Sequence, residues 1–339
     1  MPSRLTAMAP KPQPRVPENM PNSRRRRGCL RELNKGMVRM AEDTRAGFAT
    51  LIGAPNAGKS TLMNAMVGTK VSIVTPKVQT TRSRIRGIAM EGSAQIIFID
   101  TPGIFQPKRR LDRAMVQAAW KGAEDGDVLL LLHDCARREI DPDTAAIVKQ
   151  LAESGRRASL VLNKIDLAPQ ERLLERADEM SKQMEFERIF MVSAETGNGV
   201  DDLKRWLADK MPASPYLFDP DDLSDMPLRL MAAEIMREKL FLNLHQELPY
   251  QLTVETEKWE EMDDGSATVN LSIYVAREGH RGIILGKRGA TIKRIGTAAR
   301  IELEEALGRR VHVMSHVKFR KDWMDDASRY SVWDLDYDA

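Results

Sequence analysis

The sequence predicts an α/β domain, a mostly parallel sheet covered by helices on both faces, followed by a smaller α+β domain. Three observations predict it. Between residues 46 and 210, short apolar runs alternate with longer helix-like stretches. The apolar runs are nearly continuous, as in strands buried on both faces. Then four prolines (Pro212, Pro215, Pro220 and Pro227) and a cluster of Asp break the pattern. Such a stretch reads as a linker, and helix and strand patterns resume beyond it in a different order.

In the first domain, strands are expected at Ala46–Ile52, Ile96–Ile99, Val128–Leu132, Ser159–Leu162 and Ile189–Val192. Helices are expected at Lys59–Val67, Asp112–Glu124, Asp143–Ser154, Gln170–Met184 and Val200–Lys210. Arg84–Met90 reads as an antiparallel edge strand. In the second domain come a helix at Leu230–Gln246 and an extended segment at Tyr250–Trp259. An acidic turn at Asp263-Asp264-Gly265 leads into an alternating strand, Ala267–Ala276. A Gly-punctuated stretch opens a helix at Ala290–Leu307, and Arg310–Phe319 closes as a strand. The expected boundaries are a disordered basic extension over 1–44, a first domain over 45–211, a linker over 212–228, a second domain over 229–325 and an acidic tail over 326–339.

The chain has 339 residues, 42% hydrophobic and 30% charged, ordinary for a soluble protein of about two domains. Its longest aliphatic run, Val128–Leu132, falls far short of the ~18 residues of a membrane-spanning helix. Two cysteines, Cys29 and Cys135, exclude a disulfide framework and a four-cysteine zinc site, and suit a reducing compartment. Six prolines lie in the first 21 residues, with Arg24-Arg25-Arg26-Arg27 soon after. That segment has too little apolar surface to offset its ordering entropy. It reads as a solvated tail or as sequence upstream of a start at Met37 or Met40. A basic arm on nucleic acid and a transit peptide are the alternatives; no apolar stretch suits a secretory signal.

Charge is segregated along the chain. Residues 1–45 carry +7, residues 219–268 carry −9, residues 277–321 carry +8 and the final 18 residues carry −5. One basic block between two acidic ones implies a confined site for a polyanion.

Gly53-Ala54-Pro55-Asn56-Ala57-Gly58-Lys59-Ser60 fits the phosphate-binding pattern G-x-x-x-x-G-K-[ST], after a strand and opening a helix that continues with Thr61. Backbone N–H groups in such a loop cradle phosphate oxygens, and the helix presents its positive end to them. Lys59 would reach the β- and γ-phosphates and Ser60 would ligate Mg²⁺. Asp100-Thr101-Pro102-Gly103 ends a strand beside this loop. Asp100 would hold the metal through water, and the Gly103 N–H would sense the γ-phosphate. Asn163-Lys164-Ile165-Asp166 ends another strand. A carboxylate there accepts from guanine N1–H and the 2-amino group together, donors that adenine lacks. A site built this way discriminates by about 10⁴–10⁵. Ser193-Ala194 ends the last strand, where a backbone N–H could meet guanine O6. Ligands of open α/β sheets bind at strand carboxyl ends, so the ordered set points to GTP and GDP.

This set resembles the translation-factor-type GTPases of the branch containing Era, MnmE and Der. The resemblance implies that a threonine of a mobile switch loop, within Gln79-Thr80-Thr81-Arg82, completes Mg²⁺ coordination. Thr81 is favoured and Thr80 is the alternative. Where Ras-like proteins carry a water-orienting glutamine, this chain has Ile104, which neither donates nor accepts. Slow intrinsic GTP hydrolysis is therefore expected; Gln106 is a weaker substitute. Asn56 resembles the loop asparagine that helps some relatives bind K⁺ beside the phosphates; alternatively it only shapes the loop.

Gly286-Lys287-Arg288-Gly289 is a G-x-x-G loop, flanked by Arg277, Arg281, Lys293, Arg294 and Arg300 and preceded by Ile283, Ile284 and Leu285. Such a loop lets a nucleic-acid backbone approach while bases rest on an apolar groove, as in KH domains. A solvated helix face is the plain alternative. With Ala233–Leu240, Gln246–Tyr250 and Val317–Trp323, this half resembles the type II KH domain at the C-terminus of Era proteins. The likeness covers about residues 46–325. Arg288 departs from the glycine common there, and His280-Arg281 from Gln-Lys.

The resemblance implies a monomeric, cytoplasmic GTPase that binds the 3′ end of small-subunit (16S) ribosomal RNA and assists 30S subunit maturation. It also implies a peripheral position at the inner membrane, where the +8 block could meet anionic lipid. A tRNA-modifying role of the MnmE kind would call for a C-terminal cysteine, and none follows Cys135. Nucleotide state is expected to reposition the second domain through the linker.

Overall fold

The computed structural model describes residues 44–339. The expected N-terminal extension, with Cys29 and the Arg24–Arg27 run, lies outside the described residues apart from Thr44.

Strand β1 (Arg45–Gly53) runs parallel to β3 (Ala94–Asp100) on one side and to β4 (Val128–Asp134) on the other. Beyond β4 come β5 (Ser159–Asn163) and β6 (Ile189–Met191), both parallel. Strand β2 (Ile85–Glu91) pairs antiparallel with β3, giving a six-stranded sheet in the order β2-β3-β1-β4-β5-β6. Every residue of β3, β4 and β5 is buried, because helices cover both faces. On one face, Leu62, Met63 and Met66 of α1 (Lys59–Val67) and Leu203 and Leu207 of α5 (Val200–Lys210) meet Leu51, Phe98 and Leu130. On the other, α2 (Arg110–Asp125), α3 (Pro142–Ser154) and α4 (Gln170–Ser181) enclose Leu131, Leu160 and Leu162. Each fully buried aliphatic side chain stabilises the fold by roughly 1.5–3 kcal/mol.

Local chemistry sets the helix ends. Asp141 accepts the Thr144 N–H at 3.0 Å and Pro142 occupies the first turn of α3, which stops at left-handed Gly155. Helix α1 ends at left-handed Gly68, whose N–H returns to Asn64 O.

Residues 212–227 are coil, yet they do not hang free. Gln95 Oε1 accepts from the Leu217 and Phe218 N–H groups, and the Ile88 N–H donates to Leu223 O. The linker is thus strapped along β2 and β3.

In the second half, β7 (Leu252–Glu261) is antiparallel to β8 (Ala267–Val275), which is parallel to β9 (Val311–Phe319). Helices α6 (Leu228–Asn243) and α8 (Ala290–Leu307) cover this sheet, burying Met236, Leu240, Ile295, Ala299 and Leu303. A helix that the sequence pattern did not reveal, α7 (Glu278–Leu285), precedes the G-x-x-G loop. Gly279 and Gly282 lower its propensity and hid it.

The acidic tail is folded rather than free. Residues 327–332 form helix α9 (Ala327–Val332), which Asp326 caps by accepting the Ser328 N–H. Trp323, Tyr330, Trp333 and Leu335 pack on Leu111, Ala114, Met115 and Ala118 of α2. Counting aspartates obscured the aromatic spacing that drives this packing.

Because Trp333 is seated on α2, Trp333→Ala should cost about 3 kcal/mol in chemical denaturation; an unchanged unfolding midpoint would contradict the docked tail. His133, buried in β4 with neither ring nitrogen bonded among the described residues, is driven down to a pKa of about 4 by burial and by Arg176. Above the ordinary value near 6.5 the ring is neutral whether folded or unfolded. Below it the unfolded chain takes up the proton first, so stability is lost as pH falls toward 4, by at most about 1.4 kcal/mol per pH unit. His133→Leu should flatten that part of the stability profile relative to the parent.

Candidate functional site

The carboxyl ends of β1, β3 and β5 bring the predicted residues to one edge of the first sheet. Gly58, left-handed at φ 94°, opens α1. A Cβ there would lie 2.2 Å from Asn163 Nδ2, so only glycine lets the loop close on the next strand end. The buried Lys59 ammonium donates to Gly53 O and Ala54 O, each at 3.0 Å. Burial lowers its pKa to about 8 against the pull of Asp100. A cation held in so dry a loop favours an anionic ligand.

Asp100 is fully buried, and burial pushes its carboxyl above the usual range. Its Oδ2 accepts from Ser60 at 2.6 Å, Ser72 at 2.9 Å and Thr81 at 3.2 Å, while Ser60 and Thr81 hydroxyls lie 3.0 Å apart. Its Oδ1 has no partner among the described residues. These oxygens fit a hard, oxygen-seeking cation that keeps water and phosphate ligands. Among the described residues, no cluster of three His, Cys, Asp or Glu offers another metal site. Thr80 is placed elsewhere: its hydroxyl bonds Thr75 and Lys77 O. The structure therefore brings Thr81, not Thr80, to Asp100.

A cavity of about 300 Å³ opens beside the loop, lined by Asn56, Lys59, Thr75, Lys77, Thr80 and Lys164 among others. Asn56 is exposed and left-handed, and its amide donates to Pro76 O at 3.0 Å, tying the phosphate loop to the switch segment. Ala54, Pro55, Ala57 and Thr61 complete the loop and the helix start. Thr101 is structural: its hydroxyl donates to Leu51 O at 2.7 Å, and Pro102 beside it is buried. Gly103 lines the cavity. Ile104 is buried in the core, its N–H donated to Gly53 O at 3.1 Å.

At the other strand ends, Asn163 is a staple. Its amide donates to Ala57 O at 2.9 Å, and its Oδ1 accepts the Ala194 N–H at 3.1 Å. The Ala194 N–H is thus bonded inside the protein, and the Ser193 N–H goes to Asn198 O. Lys164, left-handed at φ 63°, reaches Asp134 at 2.6 Å. Asp166 is exposed and makes no side-chain hydrogen bond or ion pair among the described residues, so its carboxylate is open to a ligand.

The segment from Lys70 to Arg82 also touches the second half directly. Lys70 bridges Glu238 and Glu302 at 2.6 Å each, and the Val74 N–H donates to Glu238 Oε1 at 2.8 Å. Lys77 donates to Phe241 O. Helix α6 thus packs on the segment that carries Thr81, a direct contact between the two halves in addition to the linker. Sequence reasoning missed Ser72, Lys70 and Glu238, which no local pattern marks.

In the second half, α7 and α8 flank the G-x-x-G loop. At Gly286, a Cβ would sit 2.1 Å from Thr291 Oγ1. Arg281, Lys287, Arg288, Lys293 and Arg294 are all exposed, with Gly289 opening α8. Arg281 approaches Glu278 at 3.7 Å; Arg300 turns away to Glu304. Ile283, 59% exposed, adds an apolar surface beside these cations.

A family model described as "50S ribosome-binding GTPase" matches residues 48–164, and a KH-domain model matches residues 247–324. GTPase Era of Dinoroseobacter shibae is 53% identical over 306 residues, 89% of this chain and 98% of that protein. GTPase Era of Afipia carboxidovorans is 54% identical over 297 residues, 88% and 96% of the two chains. Among solved structures, a single-site variant of Aquifex aeolicus Era bound to GDP·AlF₄⁻ superposes with a TM-score of 0.81 at 36% identity, covering 86% of this chain and 99% of that one. An Era complex with MgGDPNP and nucleotides 1506–1542 of 16S ribosomal RNA matches equally, at 0.81 and 36%, covering 86% and 98%.

In Mg²⁺ buffer, Thr81→Ala should weaken GDPNP by about tenfold relative to GDP, and Thr80→Ala by less than about threefold. Equilibrium titration of both variants checks this; the opposite order would reassign the metal-side hydroxyl.

Proposed function

The chain belongs to the Era family of GTPases, and from that premise we propose that it is a nucleotide-gated RNA-binding switch acting on the 3′ end of 16S ribosomal RNA during 30S subunit assembly. It hydrolyses GTP to GDP and phosphate. In this reading, Lys59 and the N–H groups of residues 53–60 hold the phosphates, and Asp166 reads guanine. Ser60, Thr81 and Asp100 hold Mg²⁺, which neutralises charge developing on the γ-phosphoryl group. Ile104, packed in the core, leaves water activation to other groups, so intrinsic turnover is slow. Asn56 is assigned a K⁺ beside the phosphates, its side-chain oxygen being free of the Pro76 bond that its amide makes.

RNA is assigned to the face bearing Arg281, Lys287, Arg288, Lys293 and Arg294. The cations hold the backbone while Ile283 and its neighbours receive bases. The structure of a relative with nucleotides of 16S ribosomal RNA supports this choice of partner. The observation that carries the gating is that the segment delivering Thr81 to Asp100 also docks on α6. GTP and RNA would then each favour the other's binding. We assign the cytoplasm as its compartment and a monomer as its working form. Among the described residues, no helix is long and apolar enough to cross a membrane. Flotation with anionic liposomes in excess RNA oligomer tests a membrane-surface use of the same cations; loss of lipid binding to RNA would make the two compete.

An oligomer of the 16S 3′ end should bind more tightly with GDPNP than with GDP, and equal affinities would refute the gating. Lys287→Ala with Arg288→Ala should weaken that RNA by about tenfold at low salt and reduce the salt slope by about 2. Hydrolysis should run faster in K⁺ than in Na⁺; equal rates would remove the cation from Asn56.

A further inference from the structure

Arg82 follows Thr81 directly, yet its side chain belongs to the other half of the molecule. It is 2% exposed and among the largest fully enclosed side chains. Its Nη1 donates to Leu252 O at 2.9 Å, at the start of β7. Its guanidinium carbon lies 5.5 Å from the ring centre of Trp323 and 5.9 Å from that of Phe241. Three separate parts of the RNA-binding half thus close around one residue of the switch segment. Arg237 of α6 holds the neighbouring Thr80 carbonyl while paired with Glu234.

The seat is a costly one. Arg82 Nε and Nη2 have no partner among the described residues. The like-charged guanidinium of Arg237 lies nearby, paired with Glu234. A desolvated guanidinium with unpaired donors regains hydration when it leaves, against which aromatic faces and one carbonyl hold it in place. The seat is therefore secure only while the segment is also held at its other end, where Thr81 lies 3.2 Å from Asp100. Consecutive Cα atoms are about 3.8 Å apart, so a backbone shift that unseats Arg82 also displaces Thr81.

We propose that Arg82 is the positioning residue through which the RNA-binding half holds Thr81 at the metal side of the GTP site. The inference rests on the reading of Thr81 as the residue that closes over bound GTP. It adds a specific joint, seated between Phe241 and Trp323, through which that closure is passed to the second domain.

The test uses the full chain with Mg²⁺. GDPNP and GDP affinities are measured for the parent, Arg82→Ala and Arg82→Met, then the affinity for a 16S 3′-end oligomer in each nucleotide state. Arg82→Ala should weaken GDPNP by about tenfold while GDP changes by less than about twofold, and its RNA affinity should no longer depend on nucleotide. Arg82→Met refills the aromatic seat without a charge and should bring GDPNP to within about threefold of the parent. The proposal is overturned if Arg82→Ala keeps the parental ratio of GDPNP to GDP affinity. It is equally overturned if both nucleotides weaken together in both variants, which marks a folding role. A parent that binds RNA equally in both nucleotide states refutes the gating under the proposed function, while the GDPNP-to-GDP ratio still judges Arg82.

Discussion

The buried carboxylate of Asp100 is the constraint on which the rest depends. An isolated carboxylate taken out of water costs several kcal/mol unless it is paired or protonated. Asp100 ends β3 directly opposite Leu51 of β1, and the Thr101 hydroxyl on Leu51 O fixes that register. Ser60 from α1, Ser72 and Thr81 from the switch segment, and the nearby Lys59 all converge on it, and one oxygen still lacks a partner. The divalent cation proposed above would satisfy that oxygen and would account for the hydroxyls around the carboxylate. The phosphate loop, the switch segment and the strand register can be seen as devices for building this one spot.

From there the consequences run outward through the switch segment. Lys70, Val74, Lys77 and Arg82 each bond residues of the second half, and the tail packs Trp333 and Leu335 onto α2. The segment that carries Thr81 beside Asp100 is therefore also a wall of the second half. Coupling of this kind needs no long pathway, because the element biased at one site is itself in contact with the other domain.

Much of this was legible in the sequence where chemistry is local. The phosphate loop is contiguous, and Asp100, Asn163 and Asp166 each follow an apolar strand run, so order along the chain predicted convergence in space. The hydroxyl of Thr81 bonds Asp100 while that of Thr80 bonds Thr75 and Lys77, a difference that two adjacent threonines in a sequence do not display. What stayed hidden depends on contacts between distant segments. Nothing local marks Arg82, whose carbonyl partner Leu252 lies 170 positions on. Asn163 was legible as part of the site, but not its bonds to Ala57 and Ala194, which staple the phosphate loop to the last strand end. Helix α7 was masked by its glycines, and α9 by aspartates that face outward while Tyr330 and Trp333 turn in. Periodicity reports which face is buried, not which neighbour buries it.

The most direct test of the metal-centred account is calorimetric titration of the full chain with GDPNP, with and without Mg²⁺, for the parent and for Asp100→Ala. The account predicts that Mg²⁺ strengthens GDPNP binding in the parent by about tenfold or more and has little effect once Asp100 is gone. An equal gain from Mg²⁺ in both proteins would contradict it.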